Sequence, residues 1–321
     1  MILLERTKPH QLRYIHALIR RLHPADEELP DYHVRLSNLE AGFYGEHRAD
    51  REFADFHFPH RHYLLHNMEL LNPQGFPHQI DTIVFTPHFL LIIEIKNMTG
   101  RLFYKPGHFE FGRTRQDGTT ENFNDPFEQA YRHQLLLEGM LRSWNIDMPV
   151  EYAVVITNQN AVLDESLQGL PIFHMSGLRR SINRLFVKYP RPRLTDTAFE
   201  QAGGRLMDAL HRTMPKRRVT ADRLKKGVLC PRCEFRNIMH YTARSWHCKS
   251  CNTRDKTALR QALDDYRLLV DERITNKQFR EYVGIKSMPV ASKILSRLGF
   301  EKIGDKRGAF YIIPEDCMED K

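Results

Sequence analysis

Two short apolar runs, Ile80–Phe85 and Phe89–Lys96, do most to limit what this chain can become. Both are rich in Ile, Val, Leu and Phe, and Thr86-Pro87-His88 separates them. Runs of that length and composition read as two strands. Paired antiparallel about Pro87–His88, they set Phe85 against Leu90 and, further out, Asp81 against Glu94. Side chains alternate along a strand, so Glu94 and Lys96 share a face. Two carboxylates and one ammonium then meet at the end of an apolar hairpin. Apolar surroundings make an unpaired carboxylate costly, so partners are needed. Lys96 is one, and a divalent cation is another.

The flanking sequence reads as mixed helix and strand. Leu12, Ile15, Ile19 and Leu22 mark one helix face within residues 8–22, and Gly42 to Phe53 reads as a helix entered through Ser37-Asn38. Strands are expected at Tyr63–Leu71, Leu102–Tyr104, Phe109–Phe111, Tyr152–Thr157 and Ile172–His174. A long helix is expected over Pro126–Trp144, and further helices after the Ile172–His174 strand to about Tyr189 and near Asp196–Met214. Asp125-Pro126-Phe127-Glu128 is a helix-start signature that accounts for Asp125 and Glu128 without function. It leaves Gln129, Arg132 and His133, which are three to four apart on one helix face.

Carboxylates beside a lysine suit phosphodiester hydrolysis. Oxygen donors select Mg²⁺ or Mn²⁺, which polarises a phosphate and acidifies a bound water. A lysine can stabilise the charge that builds on the phosphate. Glu46 on the preceding helix could add a third carboxylate. A plain salt bridge on a half-exposed sheet fits the triplet as well.

Four motifs in order, Gly42-Phe-Tyr-Gly45-Glu46, Gln79-Ile80-Asp81-Thr82-Ile83-Val84, Ile92-Ile93-Glu94-Ile95-Lys96 and Asp125-Pro126-Phe127-Glu128-Gln129, resemble the NERD (nuclease-related) domain of the PD-(D/E)XK nuclease superfamily. The resemblance spans about residues 37–160. Ile80 stands where the superfamily commonly has a proline. The resemblance implies a restriction-endonuclease-like α/β fold, a mixed sheet flanked by helices. It implies Glu46, Asp81 and Glu94 as ligands of Mg²⁺ or Mn²⁺, Lys96 as the catalytic lysine and Gln129 as a support.

The C-terminal third adds two further signals. Cys230-Pro-Arg-Cys233 and Cys248-Lys-Ser-Cys251, fourteen residues apart, have the spacing of a structural Zn²⁺ site in a small zinc ribbon. Arg232 and Lys249 on this module are candidate nucleic-acid contacts. Downstream, a capped helix from Ile274 to Gly284, a second helix Met288–Leu298 entered through Ser287, and a basic-tipped hairpin resemble a winged helix-turn-helix. That resemblance implies Lys293 and Arg297 near DNA and Lys306 and Arg307 on the wing. Charge supports a polyanionic partner: residues 216–321 hold 24 Lys+Arg against 14 Asp+Glu, whereas residues 1–215 hold 24 against 26. Residues 257–321 alone are nearly balanced, so the excess lies in 216–256.

The expected order is an N-terminal helical extension (1–36), a nuclease-like domain (37–190), a helical basic linker (191–227), the zinc ribbon (228–256) and the winged-helix-like domain (257–316). The longest apolar run, Phe89–Ile93, is far shorter than a membrane span. The first residues lack signal-peptide character, so a cytoplasmic protein without a membrane partner is expected. Five cysteines do not make a secreted disulfide scaffold. There is no phosphate-binding G-x-x-x-x-G-K-[ST] loop and no G-x-S-x-G elbow. The spacing of His57, His60, His62 and His66 fits no helix face, which favours packing roles over a metal site. The leading expectation is an endonuclease acting on duplex DNA, with a homodimer as the simple route to cutting both strands. A catalytically silent DNA-binding regulator and an RNA-directed nuclease are the alternatives.

Overall fold

The computed structural model describes residues 1–217, 219–305, 308–315 and 317–318. Lys306 and Arg307, expected on the wing, and Arg218 of the expected basic linker lie outside the described residues. The fold is mixed α/β in two compact units, Met1–Lys8 with Leu39–Thr213, and Pro9–Asn38 with Met214–Lys321.

The first unit is built on a six-stranded sheet. Its strands are Ile2–Leu4, Tyr63–Leu71, Pro77–Phe85, Leu90–Lys96, Val150–Ile156 and Ile172–His174, side by side in chain order. The second and third of its five pairings are antiparallel, and the other three, including Leu90–Lys96 with Val150–Ile156, are parallel. Helices cover both faces. Pro126–Ser143 and Asp196–Asp208 close over Leu65, Ile83, Phe85, Leu90 and Ile92. Leu29–Ala54, through Ala49 and Phe53, and Leu178–Lys188 close over Val84, Leu91, Ile93 and Val155. A central strand buried on both faces needs apolar residues at every position, which accounts for the near-unbroken run in Leu90–Lys96. A smaller sheet, ordered Thr120–Phe123, Glu110–Thr114, Gly100–Lys105 and Ala161–Leu163, packs Leu102, Tyr104 and Phe111 around Phe127.

The hairpin register is as expected, from Phe85 opposite Leu90 to Thr82 opposite Ile93. The ladder ends there, one step before Asp81 and Glu94. The helix expected from Gly42 instead runs unbroken from Leu29 to Ala54. Ser37 and Asn38 can cap a helix but do not have to, and Pro30 sits in the first turn, where proline is tolerated. Asp196–Asp208, inside the stretch read as a linker, buries Phe199 against Tyr63 and Phe85.

In the second unit, helix His10–Arg21 buries Leu12, Ile15 and Leu18. Its Arg21, 1% exposed, donates to Asp265 at 2.7 Å and to the Gly227 carbonyl at 2.7 Å. The cysteine module is a four-stranded sheet ordered Val228–Leu229, Ile238–Thr242, Ser245–His247 and Arg254–Asp255. Helices Ala258–Leu269, Asn276–Val283 and Met288–Arg297 follow, with a three-stranded sheet ordered Arg273–Thr275, Phe310–Ile312 and Lys302–Ile303. Cys230, Met239, Trp246 and Cys248 share one core with Leu263, Tyr266, Phe279 and Ile294. The helix expected from Ile274 starts at Asn276. Thr275 and Gln278 form a reciprocal capping box there, and Gly284 ends the helix at φ 77°. Ile274 instead pairs with Tyr311 as a strand residue. No helix among the described residues is long and apolar enough to cross a membrane.

Candidate functional site

The main sheet splays where Asp81 sits. Asn67 adopts φ 50°, and the pairing skips from His66↔Thr82 to Met68↔Ile80. Such a break frees backbone groups and re-aims side chains. Asp81 uses its own side chain to repair the gap, its Oδ2 accepting the Ile95 N–H at 2.8 Å. On the next residue, Lys96 Nζ donates to Glu94 Oε1 at 2.7 Å and to Gln129 Oε1 at 3.3 Å. Gln129 is delivered by the first turn of Pro126–Ser143, whose Asp125 cap accepts from the N–H groups of Phe127 and Glu128. Glu46 comes from Leu29–Ala54, and Gly45 permits its approach. A Cβ at Gly45 would lie 2.6 Å from Asn97 Cβ and 2.9 Å from Thr157 Oγ1.

Each carboxylate therefore gives one oxygen to the protein: Glu46 Oε2 to Arg6, Asp81 Oδ2 to Ile95 and Glu94 Oε1 to Lys96. The other oxygens, Glu46 Oε1, Asp81 Oδ1 and Glu94 Oε2, make no hydrogen bond among the described residues. Glu94 is 1% exposed, and a buried oxygen without a partner is costly. Burial, with the charges of Asp81 and Glu46 added, pushes the Glu94 carboxyl up to about 8. Burial and Asp81 push Glu46 up to about 7 against the pull of Arg6. Burial raises Asp81 too, opposed by Lys96. Burial opposes the Lys96 ammonium, but Glu94 and Asp81 outweigh it and hold its pKa above the usual value. Three carboxylates with one oxygen each left over are the donor chemistry of a hard divalent cation, although their oxygens are not all within 4.8 Å of one another as the cysteine sulfurs are.

The sequence reading had no signal for Arg6. It arrives from before the first helix and donates to Glu46, Asp50, Asn67, Thr82 and the Asp81 carbonyl. Its partners lie 40 to 76 residues away, beyond any local pattern. Asp50 was within reach of one, being four residues after Glu46 on the same helix. The expected face of Gln129, Arg132 and His133 separates: Gln129 meets Lys96, His133 is buried, and Arg132 is exposed beside Glu128. Of the clustered histidines, His66 is buried against Thr82, His60 packs on His88 and Phe186, and His62 stacks on Phe58.

The cysteine site is the more compact. The Sγ atoms of Cys230, Cys233, Cys248 and Cys251 all lie within 4.8 Å of one another. Among the described residues they are the one set of His, Cys, Asp or Glu donors gathered that closely. Cys230–Cys251 and Cys233–Cys248 are 3.6 and 3.7 Å apart, close to the edge of about 3.8 Å that tetrahedral Zn–S bonds of ~2.3 Å imply. The four cysteines are positioned to bind a metal ion. Left-handed backbone at Glu234, Phe235 and Asn252 turns the two knuckles. Around them Arg232 and Lys249 are exposed. Lys293 and Arg297 are also exposed, one turn apart on Met288–Arg297.

Residues 41–157 match the family model of the nuclease-related domain. The match takes in Glu46, Asp81, Glu94, Lys96 and Gln129 and stops short of the cysteines. No curated protein matches the chain, and no solved structure does.

Proposed function

We propose that this protein, which carries a nuclease-related domain across residues 41–157, is a metal-dependent endonuclease that hydrolyses phosphodiester bonds of duplex DNA. The observation that carries the reading is Glu94 Oε2, buried and unpartnered beside Asp81 and the Lys96–Gln129 pair. Glu46, Asp81 and Glu94 would hold Mg²⁺ or Mn²⁺, which when bound polarises the phosphate and lowers the pKa of a bound water. Lys96 keeps its positive charge and donates to the oxygen on which negative charge builds. Gln129 and Glu94 hold that ammonium in one orientation. The buried sheet end keeps bulk water from screening these charges.

The second unit supplies the grip on DNA, which the acidic centre alone would repel. A helix, a strand, two helices and a hairpin follow one another there as in a winged helix. Lys293 and Arg297 on Met288–Arg297 suit a major groove. Arg232 and Lys249 on the cysteine module suit phosphates. A groove of about 650 Å³ lined in part by Lys226, Tyr241 and Lys286 adds cations and an aromatic ring. The four thiolates would hold a structural Zn²⁺. Pairing of two copies is the simple route to cutting both strands.

The test is cleavage of supercoiled plasmid in Mg²⁺, Mn²⁺ or EDTA, beside Asp81→Ala and Lys96→Ala. Metal-dependent nicking or linearisation is expected, lowered about 10²-fold or more in either variant, with DNA affinity retained. Tight DNA binding without cleavage in any metal would replace this reading with that of a silent DNA-binding regulator. Preferential cleavage of RNA would change the substrate.

A further inference from the structure

Arg6 lies outside the stretch that matches the nuclease-related domain, yet its side chain is 2% exposed and lies against the acidic centre. Nη1 donates to Glu46 Oε2 at 2.5 Å and to Asn67 Oδ1 at 2.7 Å. Nε and Nη2 grip the two oxygens of Asp50 at 2.8 and 3.0 Å. Nη2 also reaches the Asp81 carbonyl at 3.1 Å and Thr82 Oγ1 at 3.0 Å. Asn67 steadies the segment by donating from Nδ2 to the Thr7 carbonyl at 3.0 Å.

We propose that the Arg6 guanidinium stands in place of a second divalent cation, so that the acidic centre takes a single ion. This rests on the reading above only in that the centre binds metal. Glu46 and Asp50 lie one helical turn apart and, with the Asp81 carbonyl, face one small volume. Two carboxylates and a carbonyl oxygen, all accepting from one guanidinium, are also the donor types of an oxygen-ligated cation. In centres with two ions, about 3.5–4 Å apart, a shared carboxylate commonly bridges them. Here Glu46 gives Oε2 to Arg6, and only its Oε1 is left for an ion on the side of Asp81 and Glu94. A guanidinium fills the role permanently, because its planar fork matches a carboxylate in two hydrogen bonds and does not lose its proton. What remains for an ion is one oxygen each from Glu46, Asp81 and Glu94, which a single cation would draw together.

The test counts Mn²⁺ bound to the zinc-loaded full-length protein by electron paramagnetic resonance, with Asp81→Ala subtracting ions bound elsewhere. Wild type and Arg6→Lys should each bind one ion at the centre, and Arg6→Ala two. Arg6→Ala should also melt lower than wild type and recover most of the loss in Mn²⁺, because the ion replaces the lost charge. None or two ions in wild type overturns the proposal. So does an Arg6→Ala protein that holds one ion or none, or whose lowered melting temperature is indifferent to Mn²⁺. Absence of DNA cleavage with the expected counts would remove the nuclease reading and leave this one standing. Cleavage by a wild type that holds two ions would do the reverse.

Discussion

Glu46 and Glu94 change charge in the range where a cell works, near 7 and near 8. A cation held there would bind their ionised forms, so at neutral pH its entry would have to expel protons. Mn²⁺ affinity should therefore climb from pH 6 to pH 8.5, by up to about tenfold per pH unit for each proton displaced. Calorimetry at pH 6.5 in two buffers of different ionisation enthalpy should detect the released protons. A flat affinity with no release would refute the assignment of these carboxylates. Without metal, the folded chain holds these two protons more tightly than the unfolded chain. Their contribution to stability is then full below about pH 4.5 and fades as pH rises through 7 and 8. At this scale the meeting of Asp81, Glu94 and Lys96 at one end of the hairpin was legible because a strand alternates strictly and a two-strand register follows from its turn. Arg6 was not, because nothing in a sequence reports that a residue will close on a glutamate 40 positions later.

Elements were legible where their stop signals were unambiguous. Asp125-Pro126 began a helix and Gly284 ended one, since capping chemistry is local. The start at Leu29 was missed because Ser37-Asn38 permits a cap without requiring one. Strand Ile2–Leu4 is three residues long and takes its place only by pairing with Tyr63–Leu71. The cysteine knuckles are the element with the furthest reach, because Cys230 and Cys248 are part of the same core as Trp246, Leu263 and Tyr266. Cys248→Ser should release the metal and loosen the helices beside the knuckles as well. Hydrogen exchange should quicken through Ala258–Leu269 and Asn276–Val283 along with the ribbon strands. Metal loss with those helices still protected would mean that the core holds without it. Structural zinc commonly contributes on the order of 10 kcal/mol to folding a small module, so the effect should not be subtle.

At the scale of the whole molecule, composition separated a near-neutral stretch from a basic one, and the cysteines marked the second. The sequence had no means of reporting that each unit is assembled from two stretches. That assembly decides how the protein can be cut. A chain ending at residue 215 keeps helix His10–Arg21 but loses what covers Leu12, Ile15 and Leu18, each 1% exposed or less. It should aggregate. Removing residues 9–38 as well, with a flexible Gly/Ser link from Lys8 to Leu39, should give a soluble first unit that still binds Mn²⁺ and holds DNA more weakly. Size-exclusion chromatography of the two separates the cases, and equal solubility would contradict the division.

The same interleaving sets a timetable during synthesis. Arg21 leaves the ribosome 244 residues before Asp265, the carboxylate that neutralises it. At about 5–20 residues per second that is an interval of roughly ten to fifty seconds. Throughout it the first helix has an apolar face and three arginines, Arg13, Arg20 and Arg21, whose carboxylate partners have yet to be made, while the strands that follow have most of their own neighbours at hand. The nascent chain thus offers a chaperone a defined segment for a defined time, and a stop codon introduced late in the message would leave that segment stranded for good.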